Sequence, residues 1–430
     1  MLLNRGNKRC PSPLGWERHW RIVMNYHVRH FSLTLLSVLL LFSAQAQVVV
    51  TTNSDSGPGS LRQTIAGAAS GATITFDASL SGQTLALTNG LIGITQSVTI
   101  DASALAGGVI IDGHGRNSLF HCGSQTTNTF VGLTLTGGRA TFGGGAILND
   151  SLLTLSNCTL TGNIANEGGA LFDFASTTLN NCTIVSNYAR YGGGFENDGG
   201  GTLTLNNCTV AGNFATNDGG GILNFFTLNL SNCTVVGHQA FYGGGISIDA
   251  GGTLNLNNSV VAGNTATFEP QISGGISSST GVNLTSGNPM LSPLGDYGGP
   301  TPTMPPLPGS PATDPAGGNT TSVFATDQRG LPRVVNGIVD VGAVEVQSAS
   351  AAPIQITGAE ILGDGSFQLS FSNLTGASFH VLAITNVALP TSNWPTIGPA
   401  VETPPGSGQF QFTDPQATNL PQRFYRVKSP

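Results

Sequence analysis

Asp150, Asp173, Asp198 and Asp249 recur at related places after runs of glycine in this chain. Stacked on one face, Asp150, Asp173 and Asp198 could serve in either of two ways. Two carboxyls about 5–9.5 Å apart can divide acid and nucleophile or base work on a glycosidic bond. Three together could hold calcium, a cation that takes oxygen ligands. Proton abstraction would call for a base, and the repeats offer only Arg116, Arg139 and Arg190, none with a clustered acidic partner. Phe142, Tyr191 and Tyr242 each precede a Gly triplet, and rings on one face of a rod could stack on sugar rings or partner side chains. The plain alternatives are solvated turn carboxylates and rings packed on their own loops.

What must position these groups is a repeat. Cys158, Cys182, Cys208 and Cys233 are 24, 26 and 25 residues apart, and Ser259 follows 26 further on. Each lies in one phrase, as in LSNCTLTGN, LNNCTIVSN and LNNSVVAGN. A second phrase alternates with it: FGGGAI, EGGAL, YGGGF, DGGGI and YGGGI. Strands of three to five residues cannot bury their faces alone, so such units must stack. Three short strands in about 25 residues is the arithmetic of an all-β parallel β-helix, each coil rising by about 4.8 Å. Residues 90–288 then hold about eight coils.

Alternation sends Cys208 and Val210 to the same side, which predicts an inward column of thiols beside an aliphatic column through Leu160, Ile184, Val235 and Val260. Packing is the expected role of the thiols, without disulfides between coils. Asn157, Asn181, Asn207, Asn232 and Asn258 precede that column, where a tight corner favours a residue tolerant of positive φ. A second column runs through Asn163, Asn187, Asn213 and Asn264, with His238 replacing one amide.

Composition narrows the function classes. Of 430 residues, 60 are Gly and 23 Pro, and only 9% are charged against an average near 25%. Residues 1–46 read as a secretory signal: a basic stretch, the apolar run Phe31–Phe42, then Ser43-Ala44-Gln45-Ala46. That 12-residue run is shorter than the roughly 20 a membrane span needs, and Met24 would give a tidier start. The remainder carries nine basic residues against 21 acidic ones, too few cations for a nucleic-acid partner.

Ser60-Leu-Arg-Gln63 predicts a capped short helix within an N-terminal cap and first coil at 47–89. Pro- and Gly-rich residues 289–346 are expected to close the rod. A linker at 347–353 leads to alternating strands over 354–430 that suit a small β-sandwich of immunoglobulin or fibronectin type.

GGAI at 144–147, GGAL at 168–171 and the Asn-bearing coils resemble the repeats of polymorphic outer-membrane proteins. Ser56-Gly-Pro-Gly-Ser-Leu-Arg-Gln63, Pro293-Leu-Gly-Asp-Tyr-Gly-Gly-Pro-Thr-Pro302, Leu307-Pro-Gly-Ser-Pro-Ala312, Asp327-Gln-Arg-Gly330 and Asp340-Val-Gly-Ala343 with Glu345 resemble the ends of choice-of-anchor Q proteins. The resemblance implies a right-handed parallel β-helix, exported and held at or released from a bacterial surface, and it brings no catalytic residues. Asp112-Gly-His-Gly-Arg116 resembles a polygalacturonase phrase, but that family's Asn-Thr-Asp, Asp-Asp and Arg-Ile-Lys are missing, so His114 is expected at an ordinary corner. The expectation is therefore a secreted or surface β-helix, non-catalytic and adhesin-like or carbohydrate-binding, with no resident cofactor apart from the calcium option. The alternative is a polysaccharide lyase or glycoside hydrolase.

Overall fold

The computed structural model describes residues 48–249, 251–320, 322–335, 337–347, 354–373, 379–387, 394–404, 407–420 and 422–428. The signal-like segment and most of the linker lie outside the described residues.

The chain winds into a parallel β-solenoid of about nine turns, near 26 residues each, followed by a separate antiparallel sheet. The earlier coils visit three sheets and, from Tyr188 on, four, in a constant order. Sheet 1 has ten parallel strands from Val48–Val50 to Ser278–Thr280, and sheet 2 has eight from Thr84–Ala86 to Val260–Ala262. Sheet 3 has four short strands from Tyr188–Ala189 to Thr265–Phe268. Sheet 4 has eight from Ile92–Ile94 to Ile272–Ser273.

Alternation builds the core. In Thr202–Asn206 of sheet 1, Leu203 and Leu205 are fully buried while Thr202, Thr204 and Asn206 face outward. Their partners one coil on are Leu228 and Leu230, so each apolar position becomes a column. In sheet 2 the aliphatic column runs Leu160, Ile184, Val210, Val235 and then Val261; Val260 instead pairs with Thr234. The order Cys-x-Val holds, but counting from Ser259 it reaches the second valine.

The corner before sheet 2 explains its asparagines. Asn157, Asn181, Asn207, Asn232 and Asn258 all sit at φ between 50° and 54°, a conformation that Asn tolerates better than most residues. The thiols after them are buried and free. Cys158 N–H donates to the Cys182 sulfur, Cys182 N–H to that of Cys208, and Cys233 N–H to Ser259 Oγ. Burial pushes the Cys158 and Cys208 thiols up, away from the reactive thiolate. The second amide column is a continuous chain in which Asn163 Nδ2 donates to Asn187 Oδ1 and Asn187 Nδ2 to Asn213 Oδ1. His238 takes the next place: its Nδ1 accepts from Asn213 N–H, so its Nε2 donates to the Val210 carbonyl.

At the N-terminal end the helix Leu61–Gly67 begins at Ser60, whose hydroxyl accepts from Gln63 N–H, and buries Leu61, Thr64 and Ile65. Arg62 ties it down through Asp55 at 2.8 Å and the Leu91 carbonyl.

The Pro- and Gly-rich segment does more than meet the last coil. It runs as a strap along the outer side of sheet 2 across several coils. Thr183 donates to the Pro302 carbonyl, Thr209 to Gln328 Oε1, and Ala343 N–H to Thr234 Oγ1. Its Asp-Gln-Arg-Gly motif is a folding device. Asp327 accepts from the Arg329 guanidinium and from Glu345 N–H, while Gln328 reaches the coil at Cys182 and Thr183. Arg333, fully buried, donates to Asn207 Oδ1 at 2.6 Å and to the Gly342 and Ala343 carbonyls.

The C-terminal sheet has six antiparallel strands, ordered Gln355–Ile361, Phe367–Ser372, Gln409–Asp414, Thr396–Glu402, Phe379–Ile384 and Phe424–Lys428. Phe371 and Phe379 stand on strands separated by two others, yet their rings lie 5.2 Å apart. The sheet therefore folds over on itself around Phe371, Phe379 and Phe410.

Candidate functional site

Charge is distributed unevenly around the coil. Between residues 117 and 270 there are eight acidic residues: Asp150, Glu167, Asp173, Glu196, Asp198, Asp218, Asp249 and Glu269. All of them lie on the strands of sheet 4 or in the turns beside them, and none lies on a strand of sheet 1 or sheet 2. Only Arg139 and Arg190 oppose them in that stretch.

The register of sheet 4 sorts these acids into columns. The first strand position is inward and apolar: Ile147, Leu171, Phe195, Ile222 and Ile246. The second carries His121, Leu148, Phe172, Glu196, Leu223 and Ser247. The third turns inward again as Cys122, Asn149, Asp173, Asn197 and Asn224.

Asp173 is thus fully buried, taking a hydrogen bond from Asn149 Nδ2 at 2.8 Å, and burial raises its pKa to about 6. Asp150 and Asp198 occupy the turn position that follows, where Phe174 stands in the coil between them. The expected stack of Asp150, Asp173 and Asp198 does not form, because Asp173 belongs to the preceding column. Asp150 instead pairs with His121 Nε2 at 2.8 Å. Among the described residues no three His, Cys, Asp or Glu side chains are arranged to hold a metal ion.

The aromatic residues are also sorted by register. Tyr191 and Tyr242 share the column Gly143, Glu167, Tyr191, Asp218, Tyr242 and Phe268. Phe142 does not, because Gly143 holds that place and Phe142 falls one residue earlier. The Phe142 ring, 55% exposed, rests edge-on against Phe172 at 5.5 Å, and Phe172 meets Phe174 at 4.3 Å. A Cβ on Gly143 would lie 2.0 Å from the Phe172 ring, which is why that column starts with glycine. Two coils beyond Tyr191, Tyr242 stacks on Phe268 at 5.0 Å with Phe241 edge-on beside it, all three exposed. Tyr191 lies between the two groups, its hydroxyl accepting from Asn217 Nδ2 and the Arg190 guanidinium over its ring at 5.1 Å.

Between the aromatic groups lie carboxylates that the sequence reading passed over. Glu196 is 5% exposed, and its Oε2 has no hydrogen-bond partner. Burial, then the charges of Glu167 and Asp198, push its pKa up to about 8. Burial and Asp198 raise Glu167, and burial and Asp249 raise Asp218. Aligning the repeats on their inward apolar residue, rather than on glycine, would have exposed Glu196 as the one acid on the outward strand position. His114 stands elsewhere, at φ 49° in a corner turn, its N–H bonded to Asp112.

No family profile matches this chain, and no curated protein does. Among solved structures, the crystal structure of pectate lyase Pel9A is similar over 70% of this chain and 96% of its own, at 13% identity and a TM-score of 0.41.

Proposed function

We propose that this chain is an exported, non-catalytic glycan-binding β-helix that uses the corner of the coil between sheets 3 and 4 as its binding surface. The observation that carries the reading is the placement of exposed rings at both ends of one polar strip, Phe142 before it and Tyr242 with Phe268 after it. Rings spaced along parallel coils offer successive apolar platforms to a chain of sugars, and the carboxylates between them accept from hydroxyls. Phe142 and Tyr242 stand four coils apart, about 19 Å along the rod.

The same proposal assigns the chain to the choice-of-anchor Q proteins, with the strap motifs fastening the solenoid and an immunoglobulin-like sheet following it toward a bacterial surface. No helix among the described residues is long and apolar enough to cross a membrane. Affinity electrophoresis of residues 47–430 through gels containing plant, algal and bacterial polysaccharides tests the proposal. Retardation by at least one glycan is expected, with Tyr242→Ala weakening it about tenfold, the worth of one stacked ring. Equal retardation of Tyr242→Ala and the parent protein would overturn this choice of face.

One observation favours a second reading, hydrolysis of a glycosidic bond. Glu196 holds a proton near neutral pH beside Glu167 and Asp198, the pairing of protonated and ionised carboxyls that acid catalysis uses. Reducing ends released by the parent protein and not by Glu196→Gln would establish it.

A further inference from the structure

We infer that the glycan taken by the corner between sheets 3 and 4 is cationic, an amino-sugar polymer with free amines, and that polyuronates are excluded. The inference rests on the binding face proposed above and concerns what that face selects.

Charge complementarity argues for it. Every acidic residue between 117 and 270 is gathered on this one side of the coil, and Glu167, Glu196, Asp198 and Asp218 have no ion pair among the described residues. The nearby cation, Arg190, lies over the Tyr191 ring. A polyuronate would bring a carboxylate per residue against this strip, and like charges at close range cost binding. A protonated amine does the reverse, since it neutralises the strip and is attracted to ring faces.

A second observation points to a missing cationic or donor group. Glu196 is 95% buried, lies among the other carboxylates, and keeps Oε2 without a donor. Buried acceptors without donors are rare in folded proteins, and this one lies against the turn at Gly192, next to Tyr191. An ammonium group carries three donors and no acceptor, which matches the Glu167, Asp198 and Asp218 carboxylates of the strip.

The experiment compares glucosamine hexamer, cellohexaose, oligogalacturonate and hexalysine by titration calorimetry at a pH that keeps the amines charged. Residues 47–430 are used as parent, as Glu167→Gln with Asp218→Asn, and as Tyr191→Ala with Tyr242→Ala. Expected are tighter binding of glucosamine hexamer than of cellohexaose by tenfold or more, weakening with added salt, and no binding of oligogalacturonate. The amide pair should lose that preference and bind the two hexamers alike, and the alanine pair should lose both sugars. Equal affinity of the parent protein for glucosamine hexamer and cellohexaose, or binding of oligogalacturonate, overturns the cationic assignment and leaves the glycan face standing. Hexalysine bound as tightly as the sugar, with no loss in the alanine pair, also overturns it. Failure of every sugar to bind would sink the glycan face itself.

Discussion

Asp173 and Asn197 occupy neighbouring rungs inside the solenoid, and each keeps one buried oxygen without a donor. A proton on Asp173 turns its Oδ2 from an acceptor without a donor into a donor. Burial raises the Asp173 pKa from 3.8 to about 6 in the folded state, so the fold binds that proton more tightly than the unfolded chain does. Stability from this group is full below pH 3.8 and is lost as pH rises through about 6, a difference of about 3 kcal/mol. Asp173→Asn carries the donor permanently; by urea unfolding it should match the parent protein near pH 3.5 and exceed it by about 3 kcal/mol at pH 8. A constant gap at both pH values would show that the proton is not held there. His238 has the opposite sign. Burial lowers its pKa from 6.5 to about 4, so its contribution is lost as pH falls through that window. His238→Asn, which continues the amide chain, should remove about 3 kcal/mol of acid destabilisation between pH 6.5 and 4. The corner asparagines and inward thiols were legible in the sequence because their columns are spaced by whole coils. The buried side of Asp173 was not, because a shift of one residue in a two-residue turn separates an interior carboxylate from an exposed one.

At the scale of elements, the strap and the glycine turns do different work. The strap's Arg333 depends on Asn207, which also donates to the Thr326 carbonyl from the corner. Asn207→Ala should cost about 3 kcal/mol in thermal or urea unfolding, because it leaves a buried guanidinium short of an acceptor. Asn181→Ala should cost less, because Thr301 of the strap bonds to the backbone carbonyl at that position. In the glycine turns the coils touch backbone to backbone. A Cβ on Gly169 would stand 2.1 Å from the Gly193 carbonyl oxygen, whereas Gly212 has open space around it. Gly169→Ala should therefore destabilise by about 3 kcal/mol through overpacking. The parent protein and Gly169→Ala melting together would contradict that geometry. The turns were legible as glycine runs, yet their register was not: Gly143-Gly144-Gly145-Ala146 fills the four places taken by Tyr191-Gly192-Gly193-Gly194 in a later coil. Matching glycine to glycine slid Phe142 by one position. The lateral course of the strap left no trace in its composition, since Pro and Gly mark an irregular path without marking its direction.

For the whole molecule, each coil meets only the coil before and the coil after, so stability is a chain of neighbour terms with two ends. The front end is held by the buried helix Leu61–Gly67 and by Asp55 with Arg62, and the middle coils by the strap. The last strands, Thr265–Phe268 and Ser278–Thr280, are largely exposed. Among the coils, hydrogen exchange should be slowest over 182–236 and fastest over 265–288, with protection declining coil by coil; one uniform rate across the solenoid would contradict the neighbour picture. A further consequence follows from where coils differ in length. The turn from sheet 4 to sheet 1 holds two residues after Asp173 and after Asn224, but four after Asn197 and after Ile248. Coils of different length thus keep every inner column aligned, because the surplus is taken up in the turns that border the acidic side. Genetic insertions at those turns would raise a rim along one side without disturbing any rung. The scaffold can change what it grips while inheriting how it folds.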